Sequence, residues 1–334
     1  MELNAKESVG RFFCGLVAVV LLTVLMVLPS MRAGASELAE SKTVVDRSGS
    51  RIIVKKPFRK IISLYGAHTE NLFSLGLDAE IIGVSKKETW PPKVKSKPVY
   101  SYHDDAEKFI AARPDLVLIR PMIARGYRQL VVKLQRAGIV VVSLQPRSIE
   151  EVYEYWRKLG ILTGREARAA VLSSDFIEKT HYLNSLVQEI PAAERKKVYF
   201  EAIHSKMKTF SPASIAMFAL TTAGGINVAA DASARHGSNI AAYGKEKILS
   251  HAAEIDIYLA QRGTMNRIKI ETITDEPGFQ AIKAVRAARI YIVDEQLVSR
   301  PTLRLLQGIY TIGKCLYPER FQDVSMSEIN LDFH

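Results

Sequence analysis

From Arg165 to Ile190 the chain contains neither proline nor glycine, and on both sides of that stretch short apolar runs alternate with amphipathic ones. Nothing else in the sequence restricts the fold as much. Leu172, Phe176, Leu183, Leu186 and Ile190 recur at spacings near three, four or seven, which places them on one stripe of a helix. At 1.5 Å per residue such a helix is about 40 Å long, enough to cross a domain from edge to edge. Thr163-Gly164-Arg165-Glu166 has the order of a capping box, so the helix is expected to begin at Thr163. A long unbroken helix between two βα halves is a stiff connector. His181 lies midway along it and is expected to be structural.

Ahead of the connector, Thr43–Asp46 and Arg51–Val54 around Ser48-Gly49 read as a small hairpin. Strands are then expected at Lys60–Leu64, Ile81–Val84, Asp115–Ile119 and Ile139–Leu144, alternating with helices at His68–Leu75, Ala106–Ala112 and Tyr127–Ala137. A further helix is expected from Ile149 to Leu162. Beyond the connector the pattern restarts, with strands at Lys197–Ile203, Ile226–Ala229, Ile255–Leu259 and Arg289–Val293 and a closing helix at Leu303–Tyr317. Such alternation predicts an α/β fold of two Rossmann-like lobes, each a mostly parallel sheet with flanking helices, joined by a single long α-helix. The expected divisions are 1–35, a signal segment; 43–162, an N-terminal lobe; 163–191, the connector; 195–321, a C-terminal lobe; and 322–334, a tail. The halves look like copies: Glu107-Lys108 is followed eight residues later by Asp115, and Glu246-Lys247 eight residues later by Glu254.

At the N-terminus, Lys6 and Arg11 precede an apolar run from Phe12 to Leu28, then Pro29 and Ala33-Gly34-Ala35. This is the layout of a cleavable secretory signal, with an uncleaved anchor as the alternative. Cys14 does not follow the run, as a lipidated cysteine must, so the expectation is a freely diffusing periplasmic protein and not a lipoprotein. Cleavage leaves Cys315 alone in an amphipathic pattern, where it reads as a small buried apolar residue. The formal charge of +11 is spread over helices that also carry Glu and Asp, with no basic stripe interleaved with aromatics. Nucleic acid is therefore not an expected partner, and a preference for anionic ligands remains.

Catalytic signatures are missing: there is no G-x-G-x-x-G after a strand, no P-loop, no G-x-S-x-G and no H-E-x-x-H. Gly224-Gly225 follows a helix and precedes a strand, the place of a helix C-cap. What the pattern does supply is polar residues at the carboxyl ends of predicted strands, where parallel sheets bind ligands. These are Tyr65 and His68, Tyr102 and His103, Arg120, His204 and Lys206, His236, Arg262 and Arg300. Imidazoles with nearby tyrosines suit a metal centre, which makes His68 and His204 candidate ligands. The cations suit carboxylate, phosphate or catecholate groups. Glu107 and Glu246 each fall in a first helical turn, where the macrodipole stabilises a carboxylate.

Arg59-Lys-Ile-Ile-Ser-Leu-Tyr-Gly-Ala-His-Thr-Glu70, Trp90-Pro-Pro92, Arg113-Pro-Asp-Leu-Val117 and Thr222-Ala-Gly-Gly-Ile-Asn227 resemble the solute-binding proteins of iron–siderophore, haem and cobalamin ABC importers. The resemblance covers nearly the whole chain past the signal. It implies two lobes with small hinge motion on binding, and a glutamate on each lobe that docks on permease arginines; those positions fall on Glu107 and Glu246. The chain departs from the family pattern at Gly66 and His68, where members often carry proline and then asparagine or another residue. Haem-binding members use a tyrosine before the first docking helix, and Tyr100 and Tyr102 lie near that place. The expected role is capture of a metal chelate, ferric siderophore ahead of corrinoid or haem, for a permease and its ATPase. The protein is expected to be a monomer with no cofactor of its own, the ligand carrying chelated iron or cobalt. The rival readings are an exported metal chelatase using His68 or His204, and a membrane-tethered interaction protein.

Overall fold

The computed structural model describes residues 41–234 and 238–329. The signal segment, Cys14 and His236 lie outside the described residues. A hairpin of β1 (Lys42–Val45) and β2 (Arg51–Val54) opens the described chain. Asp46 closes its turn by accepting the Ser48 and Ser50 amides, and its other oxygen accepts the Ser143 amide at 3.0 Å, which pins the hairpin to the first sheet.

That sheet has five strands: β3 (Ile61–Ser63), β4 (Ile81–Ser85), β5 (Val99–Tyr100), β6 (Leu116–Ile119) and β7 (Val140–Ser143). Their order is β5-β4-β3-β6-β7 and every pairing is parallel. β3 and β6 are buried along their whole length, as the continuous apolar runs require of strands covered on both faces.

The second sheet consists of β8 (Lys197–Ile203), β9 (Lys208–Phe210), β10 (Ile226–Asn227), β11 (Ile240–Ala242), β12 (Ile257–Arg262) and β13 (Ile290–Asp294). Its order is β11-β9-β8-β12-β13, with β10 beside the start of β8. β8, β10, β12 and β13 run parallel; β9 pairs antiparallel with both β8 and β11, so β11 runs the same way as β8 and β9 runs against both. β9 and β11 were not expected. The link from β8 to β9 is a single turn, His204–Lys206, closed by Met207 at a left-handed φ of 44°. A link that short cannot cross over, so β9 folds straight back.

The helices used below are α1 (Gly66–Ser74), α2 (Ala106–Ala112), α3 (Ile149–Thr163), α4 (Glu166–Gln188), α5 (Ile215–Thr222), α6 (Lys245–Ser250) and α7 (Leu305–Leu316). The capping-box reading at Thr163 is corrected. Thr163 is the last residue of α3, where its hydroxyl donates to the Leu159 carbonyl. Gly164, at φ 67°, closes α3 and turns the chain by letting the Arg165 amide bond the Gly160 carbonyl. The connector is therefore α4, about 34 Å long, starting at Glu166.

Leu172, Phe176, Leu183, Val187 and Ile190 are buried in one apolar core with α3, α5, α7 and the inner faces of both sheets. The connector is thus part of the core, and burying a side chain such as Phe176 stabilises by roughly 1.5–3 kcal/mol. Each sheet has a separate cluster on its other face, one around Phe109 and the other around Phe279. Cys315 is half-buried on α7, and burial pushes its thiol up to about 11. Among the described residues no helix is long and apolar enough to cross a membrane.

Candidate functional site

The carboxyl ends of the two sheets meet. Thr89, in the loop after β4, donates to Gln296, just after β13, at 3.4 Å. Glu70 of α1 takes Arg300 at 3.0 Å and Arg304 at 3.5 Å from the segment that follows β13. Asn71 donates to the Pro301 carbonyl at 2.8 Å, and the Arg304 guanidinium lies 4.9 Å from the centre of the Trp90 ring. Burial raises the pKa of Glu70, while Arg304 and Arg300 act against that rise. Arg300, expected as a ligand contact, is therefore committed to a seam between the lobes. The departure at Gly66 has its reason here: a Cβ at that position would come within 2.5 Å of Arg300 Nη1.

Above this seam, Tyr65 is half-buried at the start of α1 and the Arg120 guanidinium sits 4.6 Å over its ring. Arg120 Nε also donates to Gln145 at 3.2 Å, so the guanidinium is held in place after β6. Tyr102, His103 and Tyr127 form an aromatic group with ring centres 4.5–5.1 Å apart after β5, with His103 exposed. Lys206 and Arg262 are exposed at the ends of β8 and β12. Six expected residues thus border the gap between sheet ends, Tyr65, Tyr102, His103 and Arg120 from the first lobe, with Lys206 and Arg262 opposite in the fold. Gln145 and Gln296 are not among the expected residues; their sequence signal is position a few residues beyond a strand end.

Both histidines proposed as metal ligands are corrected. His68 is wholly buried: Nε2 donates to the Ile119 carbonyl at 3.2 Å and Nδ1 accepts the Tyr155 hydroxyl at 2.7 Å. Burial lowers its pKa to about 3. His204 is buried with Nδ1 2.7 Å from Glu201 and Nε2 3.5 Å from Glu276. The hydrogen bond to Glu201 raises its pKa against the cost of burial. Among the described residues no group of three or more His, Cys, Asp or Glu side chains could hold a metal ion.

The internal repeat is real, but its register is shifted. Asp115 directly precedes β6 and accepts the Arg59 and Lys60 amides at 2.8 Å each, tying β6 to β3. The residue that does this before β12 is Asp256, which accepts the Lys197 amide at 2.9 Å. Glu254, matched to Asp115 by spacing, instead pairs with Lys197 and His251. Counting from the aspartates, Arg120 corresponds to the buried Gln261 and not to Arg262. Glu107 and Glu246 nonetheless occupy equivalent places, exposed in the first turns of α2 and α6, which lead into β6 and β12. Those turns lie at the carboxyl-end side of each sheet. Glu107 has Lys133 3.7 Å away.

Residues 61–297 match the family described as periplasmic binding protein. The chain belongs to that family. An uncharacterized ABC transporter substrate-binding lipoprotein of Bacillus subtilis is 26% identical over 84% of this chain and 87% of its own length. A cobalamin-binding protein of Halobacterium salinarum is 23% identical over 82% of this chain and 74% of its own. Among solved structures, a possible iron-binding, periplasmic solute-binding protein of Staphylococcus epidermidis superposes with a TM-score of 0.68 at 27% identity, covering 78% of this chain and all of that one. The expectation of a freely diffusing protein that is not a lipoprotein is overturned by the Bacillus relative, which is a lipoprotein. That expectation rested on the place of Cys14 in a segment outside the described residues.

A recess of about 330 Å³ lies away from the strand ends, between α3, α4 and α5, lined by Tyr153, Ile177, Thr180, His181 and Phe218 among others. It does not belong to the gap between the lobes.

Proposed function

We propose that the chain is the solute-capturing component of an ABC importer, and that the gap between its sheet ends takes a metal chelate, a ferric siderophore ahead of corrinoid or haem. The observation that carries this reading is the Arg120 guanidinium held over the Tyr65 ring by Gln145 at the carboxyl ends of β3 and β6. A fixed cation against an aromatic face, with the Tyr102–His103–Tyr127 group on the same lobe, suits a bulky ligand that offers hydroxamate, amide or carboxylate oxygens to the cation and a ring or apolar face to the aromatics. Iron or cobalt then arrives already chelated, because His68 and His204 are turned inward onto protein groups. The same two facts oppose a chelatase and support binding without bond-making.

Delivery falls to Glu107 and Glu246, exposed on the same side of the two lobes as the gap, where they reach cationic partners on a permease that an ATPase drives. Rim charge pairs of this kind speed association and weaken as salt rises. The test is titration of the purified protein with ferric ferrichrome, haemin and cyanocobalamin, followed by absorbance and by fluorescence of Trp90, which lies at the seam. Saturable one-to-one binding of one probe, weakened at least tenfold by Arg120→Ala, is the expected result. Failure of all three probes to bind ends the chelate reading.

A further inference from the structure

His204 was expected to face the ligand; the structure puts it to another use. It stands in the turn between β8 and β9, and two routes run from it to the start of α6. The first is made of side chains. Glu201, wholly buried in β8, accepts His204 Nδ1 at 2.7 Å, the Tyr258 hydroxyl at 2.5 Å and the Asn266 amide group at 3.2 Å. Asn266 in turn accepts the His204 backbone amide at 3.0 Å, so the imidazole is clamped at ring and backbone. On its far side His204 Nε2 faces Glu276 at 3.5 Å, and the other oxygen of Glu276 takes Lys245 Nζ at 2.6 Å. Phe279 packs against both ends, with its ring centre 6.1 Å from the His204 ring and 6.0 Å from Lys245 Nζ.

The second route is backbone. The Met207 amide donates to the His204 carbonyl at 2.8 Å, and the Gly244 amide donates to the Met207 carbonyl at 3.0 Å. Gly244 is the residue before α6, at φ 91°, a conformation that L side chains rarely adopt. Lys245 is the first residue of α6 and Glu246 the second. Both routes therefore end within two residues of Glu246.

We propose that His204 is a positioning residue for Glu246: through Glu276 and Lys245 it fixes the first turn of α6 and so the direction in which the exposed carboxylate is presented to a partner. This deepens the docking reading above and rests on it. Along the contacts Glu201, His204, Glu276 and Lys245 the imidazole stands between two carboxylates, and the second of these holds the Lys245 ammonium, in a partly water-excluded setting. The corresponding turn of the first lobe is built otherwise. There Asp104 accepts the Ser101 amide at 3.0 Å and Lys108 at 2.6 Å, within one helix start. A carboxylate on α2 can be held locally; the one on α6 is held from the sheet.

The experiment replaces the native copy of the gene in the host with variants and measures uptake of whichever of ferric ferrichrome, haemin or cyanocobalamin binds, with binding to each purified variant measured alongside. Glu276→Gln and Lys245→Met break the side-chain route at partly exposed positions where folding is retained; His204→Gln is the third variant. The expected result is an uptake rate at saturating probe lowered about fivefold, the scale of one lost helix-end interaction, with Kd for the probe unchanged. Lys245→Arg, which keeps the charge, is expected to restore the rate. Amide exchange at residues 246–248 of the isolated variants is expected to speed up in parallel. If Glu246→Ala lowers uptake but Glu276→Gln and Lys245→Met alter neither uptake nor exchange, the positioning role is overturned. If Glu246→Ala leaves uptake intact, the docking reading itself fails and takes this inference with it; the two failures are told apart by that one variant.

Discussion

In the N-terminal lobe the histidine that follows the first sheet strand, His68, hydrogen-bonds a tyrosine hydroxyl and a backbone carbonyl and is neutral, its pKa lowered to about 3 by burial. In the C-terminal lobe the histidine that follows β8, His204, sits between two carboxylates, and its pKa is raised. The lobes share a ground plan, down to Asp115 and Asp256 capping the central strand, yet the same residue type after the same strand has its pKa moved in opposite directions. Burial alone disfavours the imidazolium; a carboxylate within hydrogen-bond reach reverses the outcome. Position in a fold therefore does not settle what a titratable group does. Its nearest partners do.

The largest expected effect comes from removing the partner that makes this difference. Glu201→Leu leaves the His204 ring and the Tyr258 hydroxyl buried without this acceptor, while the Asn266 amide group keeps the Gln261 carbonyl, and loss of one partner of a buried pair costs about 3–5 kcal/mol. Denaturant unfolding checks this, and a loss below about 1 kcal/mol would mean that Glu201 is not what holds His204 in place. His68→Leu is expected to cost less, about 1–3 kcal/mol, because Tyr155 keeps its bond from Asn71 and the Ile119 carbonyl keeps the Leu144 amide.

The pH dependence of stability sharpens the contrast because the two signs are opposite. An unfolded chain binds a proton at His68 near the ordinary value of 6.5 and the folded one only near 3, so this group removes stability as pH falls below 6.5. His204 holds its proton more tightly when folded, so its contribution is complete below 6.5 and disappears as pH rises through its raised folded value. Each slope is at most about 1.4 kcal/mol per pH unit. Comparing His204→Gln with wild type is expected to remove the alkaline loss and leave the acid one. The groups facing His204 are Glu201, Glu276, Tyr258 and Asn266, with Lys245 beyond Glu276.

Between the lobes, Gly66→Ala pushes Arg300 off Glu70 and is expected to destabilise by about 1–3 kcal/mol. Combined with Arg300→Ala the losses should not add, since both break one contact; full additivity in a double-mutant cycle would show that the seam is not what Gly66 serves. At the surface the expected change vanishes. Glu107→Ala and Lys133→Ala are expected to leave the unfolding midpoint unchanged, because a pair 3.7 Å apart with side chains 73% and 60% exposed is screened by water.

Much of this plan was legible in the chain itself. The proline- and glycine-free stretch announces the connector, the apolar runs place ten of the strands, and Gly76, Gly138 and Gly224 each take the left-handed backbone expected just past a helix. The repeated Glu-Lys marks two equivalent helix starts. Legibility fails where contacts bridge distant positions. Charge and spacing align the repeat on Glu254, but the role belongs to Asp256, two residues further on, since that carboxylate reaches the Lys197 amide. Arg300 reads as a free cation until Glu70, remote in sequence, is found beside it.

What the sequence by itself determined is the alternation of elements, the division around one helix and the kinds of polar group placed at strand ends, because these follow from local periodicity and from the steric limits of glycine and proline. What only the tertiary structure decided is which of those groups face inward: His68 and His204 into protein, Arg300 into the seam, and Tyr65 with Arg120 toward the gap. The reason is that a side chain's charge and availability depend on desolvation and on partners within about 4 Å, and those partners come from segments far apart along the chain.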